Sequence, residues 1–153
     1  MKRFFTPVLL LAISTVLLTA CSNLGRVIAT GLEGRLTGIV CGSDGSVTAS
    51  WHVTNTNVFP YLFSRVASKV YINGTYVGSM LDENPMGIPA SAEVERSGRI
   101  TGGDAAASRV LAEALAQGTA SYRVDTQITI RIYDDTVEKS VLTNSGTVTV
   151  KAK

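Results

Sequence analysis

Asn73-Gly74 stands between two runs that alternate apolar and polar residues, Val66-Ala67-Ser68-Lys69-Val70-Tyr71-Ile72 before it and Thr75-Tyr76-Val77 after it. A two-residue connection between such runs needs a type I′ turn, with positive φ at both positions, and Asn-Gly is the pair best suited to that geometry. The chain must therefore fold back here as a β-hairpin. Loop length then sets the register: Ile72 opposite Thr75, Tyr71 opposite Tyr76, Val70 opposite Val77. Val66, Ser68, Val70 and Ile72 share one face of the first strand. Tyr71 and Tyr76 face each other across the pair, a contact worth up to about 1 kcal/mol.

Upstream of the hairpin, Asn55-Thr56-Asn57 reads as a chain corner, because Asn side chains bond nearby backbone and tolerate left-handed geometry. Pro60 restricts Phe59 to extended conformations and cannot donate to a ladder. Phe59, Leu62 and Phe63 are expected to plug one end of the core; the alternative is that Phe59, Tyr61 and Phe63 form an exposed contact patch.

The remaining elements follow from periodicity. Leu36 to Cys41 is a short strand, and Gly42-Ser43-Asp44-Gly45 a turn. Val47, Ala49, Trp51 and Val53 alternate with Thr48, Ser50, His52 and Thr54, which places Trp51 in the core and His52 on the solvated face. Met80 to Pro89 reads as a loop, and Ala92 to Ile100, carrying Glu93, Glu95, Arg96 and Arg99, as an edge strand. Residues 104–117 are the one convincing helix, with Asp104 as N-cap, Val110, Leu111, Ala114 and Leu115 as its apolar stripe and Gly118 at its end. Tyr122, Val124, Thr126, Ile128, Ile130 and Ile132 mark the longest strand. Tyr133 to Lys139 turns the chain, and Val141-Leu142 with Thr147 to Val150 supplies the closing strand or strands. Six or seven strands and a single late helix make the fold class all-β: a small antiparallel β-sandwich, with a closed barrel as the runner-up.

The N-terminus is of a different kind. Met1-Lys2-Arg3, then an apolar run from Val8 to Leu18, has the layout of a signal peptide, too short in its apolar part to span a bilayer as a helix. Leu18-Thr19-Ala20-Cys21 resembles a bacterial lipobox, in which Cys21 receives diacylglyceryl and, after cleavage, an acyl chain such as palmitate on its freed amine. Residues 1–20 are thus expected to be removed, residues 21–33 to form a lipidated tether of at most about 45 Å, and residues 34–153 to form the domain. The alternative is an ordinary secretory signal. Ser22, where Asp would favour inner-membrane retention, points to the outer membrane, with the domain facing the periplasm. Loss of Lys2 and Arg3 balances basic against acidic residues, so the pI of 8.6 belongs to the precursor and no basic surface argues for nucleic acid. Hydrophobic content of 45% against 17% charged residues excludes a disordered chain. With Cys21 lipidated, Cys41 is left without an intramolecular partner: a small buried hydrophobe, or else the site of an intermolecular disulfide.

The inventory for catalysis is thin. His52 is the single histidine, which excludes a multi-His metal site. No G-x-S-x-G elbow is present, and nothing orients Cys41 and His52 as nucleophile and base. Gly102-Gly103-Asp104 before the helix reads as a cap in preference to an anion site. Asp134, Asp135 and Glu138 read as a solvated turn in preference to a weak Ca²⁺ site, since their spacing is not that of an EF-hand. No catalytic residue, metal or cofactor is expected, and the chain is not expected to be an enzyme.

Asn55-Thr56-Asn57-Val58-Phe59-Pro60, then Val70-Tyr71-Ile72-Asn73-Gly74 and Val77-Gly78, then Ile88-Pro89-Ala90, the helix and the long strand, occur in the order and spacing of one family. Over residues 34–151 the chain resembles the late embryogenesis abundant (LEA) type 2 proteins, whose module is the WHy (water stress and hypersensitive response) domain. Thr56 and Val58 depart from the family pattern, which usually has Pro at both. The resemblance implies an immunoglobulin- or fibronectin type III-like sandwich, non-enzymatic and linked to stress or desiccation tolerance. The chain is accordingly expected to be an envelope lipoprotein whose domain is a stress-protective or binding module; the alternative is an accessory, partner-binding subunit of an envelope complex. Candidate binding residues are Asn55, Asn57 and Phe59 at the corner, with Tyr71 and Tyr76 at the hairpin. The expected partners are the membrane, through Cys21, and a protein partner or client.

Overall fold

The computed structural model describes residues 31–132 and 135–153, and side chains outside residues 131–141. The expected signal peptide, Cys21 and most of the tether lie outside the described residues, as does Asp134, and the Asp135 and Glu138 side chains lie outside them too.

Eight strands and one helix follow in the order β1 (Leu32–Cys41), β2 (Val47–Asn55), β3 (Tyr61–Ile72), β4 (Thr75–Asp82), β5 (Met86–Ile88), β6 (Glu93–Ile100), α1 (Ala105–Gln117), β7 (Thr119–Ile132) and β8 (Asp135–Ala152). They form a single sheet in the order β4-β3-β7-β8-β1-β2-β6, with β5 on the remaining part of the β3 edge. The sheet curls until its two outer strands meet at one bridge, Ser79 with Thr101, and the layers enclose the core as in a small sandwich. All pairings are antiparallel except one. β1 and β8 run parallel, Gly38–Cys41 beside Thr149–Ala152, one parallel seam within the small all-β, sandwich-like fold expected.

The hairpin forms as the Asn-Gly pair dictates, with φ of 47° at Asn73 and 80° at Gly74. Ile72 faces Thr75 and Tyr71 faces Tyr76, but Val70 faces Gly78, not Val77. Val77 is the extra residue of a bulge, its side chain buried. The bulge turns β4 toward Thr101, whose backbone exchanges two hydrogen bonds with Ser79 (2.8 and 2.9 Å).

Other departures have equally local causes. β3 begins at Tyr61, five residues before the expected strand, and shifts register between Phe63 and Arg65. That start turns Phe63 inward and Leu62 outward. Phe63 is buried and stacks on Tyr61 (centroids 6.0 Å apart), whereas Phe59 and Leu62 are exposed and do not plug the core. The expected loop from Met80 to Pro89 contains strand on both sides of residues 83–85: Met80 points inward at the end of β4, and Met86 and Ile88 point inward from β5. β1 starts at Leu32, inside the segment expected to be tether, and buries Leu32, Leu36 and Ile39 around a register shift between Leu36 and Gly38. β8 is one strand of 18 residues where two short pieces were equally allowed.

The helix matches its expected span. The Asp104 carboxylate accepts from the Ala107 N–H (2.9 Å), and Gly118 closes the far end by donating to the Leu115 carbonyl (3.2 Å). Thirteen residues are marginal alone. Packing supplies the rest: Ala107, Leu111 and Ala114 share one core cluster with Val77 of β4, Ile72, Val124, Val148 and Val150. Trp51 is half-buried at the margin of this core, its ring over Gly98, where a Cβ would lie 3.3 Å from it.

Candidate functional site

The corner between β2 and β3 is built around Asn55, which is fully buried. Its side-chain N–H groups donate to the Phe59 carbonyl (2.8 Å) and the Pro89 carbonyl (3.1 Å), and its Oδ1 accepts the Asn57 N–H (2.9 Å). The backbones join as well: Asn55 N–H to the Ala92 carbonyl (2.8 Å) and Ser91 N–H to the Asn57 carbonyl (3.0 Å). Asn57 donates to the Tyr61 hydroxyl (3.2 Å), and burial pushes the Tyr61 phenol pKa up. Thr56 donates twice to the Gly31 carbonyl, from its N–H (2.7 Å) and its Oγ1 (3.0 Å). A proline at residue 56 could make neither bond, which gives the departure at Thr56 a physical role. These bonds leave Val58 and Phe59 projecting into solvent.

The hairpin tyrosines form a second group. Tyr71 and Tyr76 meet edge to face with centroids 5.6 Å apart, and the Arg123 guanidinium lies 4.0 Å over the Tyr71 ring. Arg123 pairs with Asp125 (3.4 Å), and the Tyr76 and Ser79 hydroxyls bond at 2.8 Å. Tyr61 and Tyr71 lie roughly 30 Å apart along β3. The structure therefore does not bring the five candidate residues together: Asn55, Asn57 and Phe59 mark one end of the domain, Tyr71 and Tyr76 the other.

His52, expected on a solvated face, is only a quarter exposed. Its ring contacts Glu93 through Nδ1 and lies 3.6 Å from Glu95 through Nε2, and Arg35 lies 3.7 Å from the same Glu93. Three neighbouring strands bring these groups into line, Arg35 on β1, His52 on β2 and Glu95 on β6. Cys41 is half-buried, and burial pushes its thiol pKa up, away from the thiolate a nucleophile needs. Cys41 pairs with Val47 on β2, so it sits about 17 Å along the ladder from His52.

One feature escaped the sequence. A cavity of about 40 Å³ lies between the layers in the half of the core away from the helix, lined by Trp51, Phe63, Val66, Met80, Met86 and Ile128 among others. Its volume is enough for a water molecule. Its polar lining includes the hydroxyl pair Ser68–Thr126 (2.9 Å), with Arg35 and Asn144 also at its wall. Ser68 and Thr126 fall in inward rows of otherwise apolar strands, and two polar residues in such rows were the available signal.

No protein-family model matches the chain, and neither does any curated protein. Solved structures do. A protein described as late embryogenesis abundant (LEA), known by its solution structure, matches 92% of this chain and 84% of its own at 12% identity and a TM-score of 0.50. A crystal structure from Archaeoglobus fulgidus matches 78% of this chain and 95% of its own, at 20% identity and a TM-score of 0.45. An Arabidopsis thaliana protein matches 78% of each chain, at 12% identity and a TM-score of 0.46. The domain is similar in fold to the first of these.

Proposed function

We propose that this chain is a non-catalytic lipoprotein of the bacterial cell envelope, held at the outer membrane by lipid on Cys21 and facing the periplasm. Its LEA-like domain serves there as a protective or binding module. The observation that carries the reading is the sequence Leu18-Thr19-Ala20-Cys21, placed after a basic start and an apolar run and ahead of a LEA-like β domain. The state of the reactive side chains supports it further. Burial pushes the Cys41 thiol pKa up, His52 is engaged by Glu93 and Glu95, and the two stand on separate parts of the sheet.

Two measurements test the reading. Radiolabelled palmitate is expected to enter the wild-type protein and not Cys21→Ala, and globomycin to leave the uncleaved precursor. Equal labelling of both proteins would sink the anchor. Drying a client enzyme with the purified lipoprotein is expected to preserve more activity than an inert protein at equal mass; equal preservation would remove the protective role.

A second reading has one observation in its favour. β6 ends the sheet and pairs with β2 on one side, while its other side meets β4 at the Ser79–Thr101 bridge beyond its end. That edge can accept a strand from a partner. A single stoichiometric partner recovered from crosslinked membranes, and lost on a proline substitution at Ser97, would favour this reading.

A further inference from the structure

Val58 and Phe59 are the most exposed large apolar side chains among the described residues, at 76% and 71%. Single exposed apolar side chains are ordinary. This pair differs because it is adjacent, projects from a corner and is held stiffly. The Phe59 carbonyl is bonded to the buried Asn55, Asn57 is bonded to Asn55 and to Tyr61, and Pro60 follows. Leu62, also exposed, stands just behind, and residues 56–62 carry no charge. A stiff, uncharged projection loses little conformational freedom when it enters an apolar medium.

The chain itself says which medium lies closest. It enters the domain at this same corner, where the Gly31 carbonyl accepts both bonds from Thr56, two residues before Val58. Residues 22–30 separate that point from Cys21 and reach at most about 30 Å when fully extended. We infer that Val58 and Phe59 dip into the lipid surface beside the anchor, an inference that rests on lipidation of Cys21. Two side chains bind a bilayer weakly by themselves. The tether makes their insertion an intramolecular step at high effective concentration, so a weak contact is enough to set the orientation of the domain. The corner then faces the lipid, and the hairpin end with Tyr71, Tyr76 and Arg123 is presented away from it.

The test uses the full lipoprotein carrying Phe59→Trp or Val58→Trp, reconstituted into vesicles of phosphatidylethanolamine and phosphatidylglycerol with brominated acyl chains. The wild type, with Trp51 alone, serves as the baseline. The added indole is expected to shift blue and lose most of its emission to bromine, and to do so equally at low and high salt because the tip is uncharged. Emission at residues 58 and 59 that stays unquenched and water-like overturns the proposal, as does quenching that salt abolishes. Mass spectrometry of the same preparation separates the two readings. A protein without lipid on Cys21 overturns the anchor and this proposal together, whereas lipid present with an unquenched indole overturns this proposal alone.

Discussion

At the scale of single residues, Asn55 has more depending on it than any other polar side chain described. It is buried and bonds two carbonyls and one N–H of the loops around it. Asn55→Ala strands those groups away from water and is expected to cost about 3 kcal/mol, read as a lower denaturant midpoint at unchanged slope. Asn55→Asp should fare no better, since a carboxylate cannot donate to the Phe59 and Pro89 carbonyls. Cys41 gives a pH signature. Burial raises its pKa in the folded protein, so in the Cys21→Ala variant a thiol reagent should react more slowly with native than with unfolded chain, and the native rate should rise only at higher pH. The linked stability has a definite sign. The unfolded chain releases the proton first, so the contribution is full below the unfolded thiol's pKa and is lost as pH rises through the folded one. Asn55 was legible in sequence as a corner residue because Asn side chains bond nearby backbone and tolerate left-handed geometry. Its burial was not legible, because one of the two carbonyls it serves comes from Pro89, far along the chain from its own corner.

At the scale of elements, the short-range signals were the ones that could be read. The Asn73-Gly74 turn, the cap of α1 and the alternation in β7 each depend on residues within one turn or one strand. What the sequence did not show was set across the fold. The bulge at Val77 exists because β4 must lean on Thr101, and the inward turn of Met80, Met86 and Ile88 exists because β3 is long enough to pair with both β4 and β5. Gly78 is the critical residue of that bulge. Its φ is 138°, and an added Cβ would lie 2.6 Å from the Thr101 carbonyl oxygen. Gly78→Ala is expected to destabilise the protein by about 2 kcal/mol or more, measurable by thermal or chemical unfolding. An unchanged midpoint would mean that the β4–β6 bridge is dispensable.

At the scale of the whole molecule, the sheet order divides the domain into two groups, β1-β2-β6 and β4-β3-β7, and β8 lies between them, paired with β7 on one side and β1 on the other. Periodicity foretold strands on both sides and could not foretell which would be neighbours, because the residues that join them are far apart in the chain. Deleting residues 144–153 removes the whole β1 contact and is expected to abolish the cooperative unfolding transition altogether; a truncated protein that still unfolds cooperatively would show that the groups stand independently. This arrangement also governs when the domain can form. The strand that seals it must find a partner more than a hundred residues behind it, at Gly38–Cys41. Closing so long a loop is slow. The hairpin and the β7–β8 ladder can therefore form early from near neighbours, and the β1–β8 seam that joins the two groups closes last.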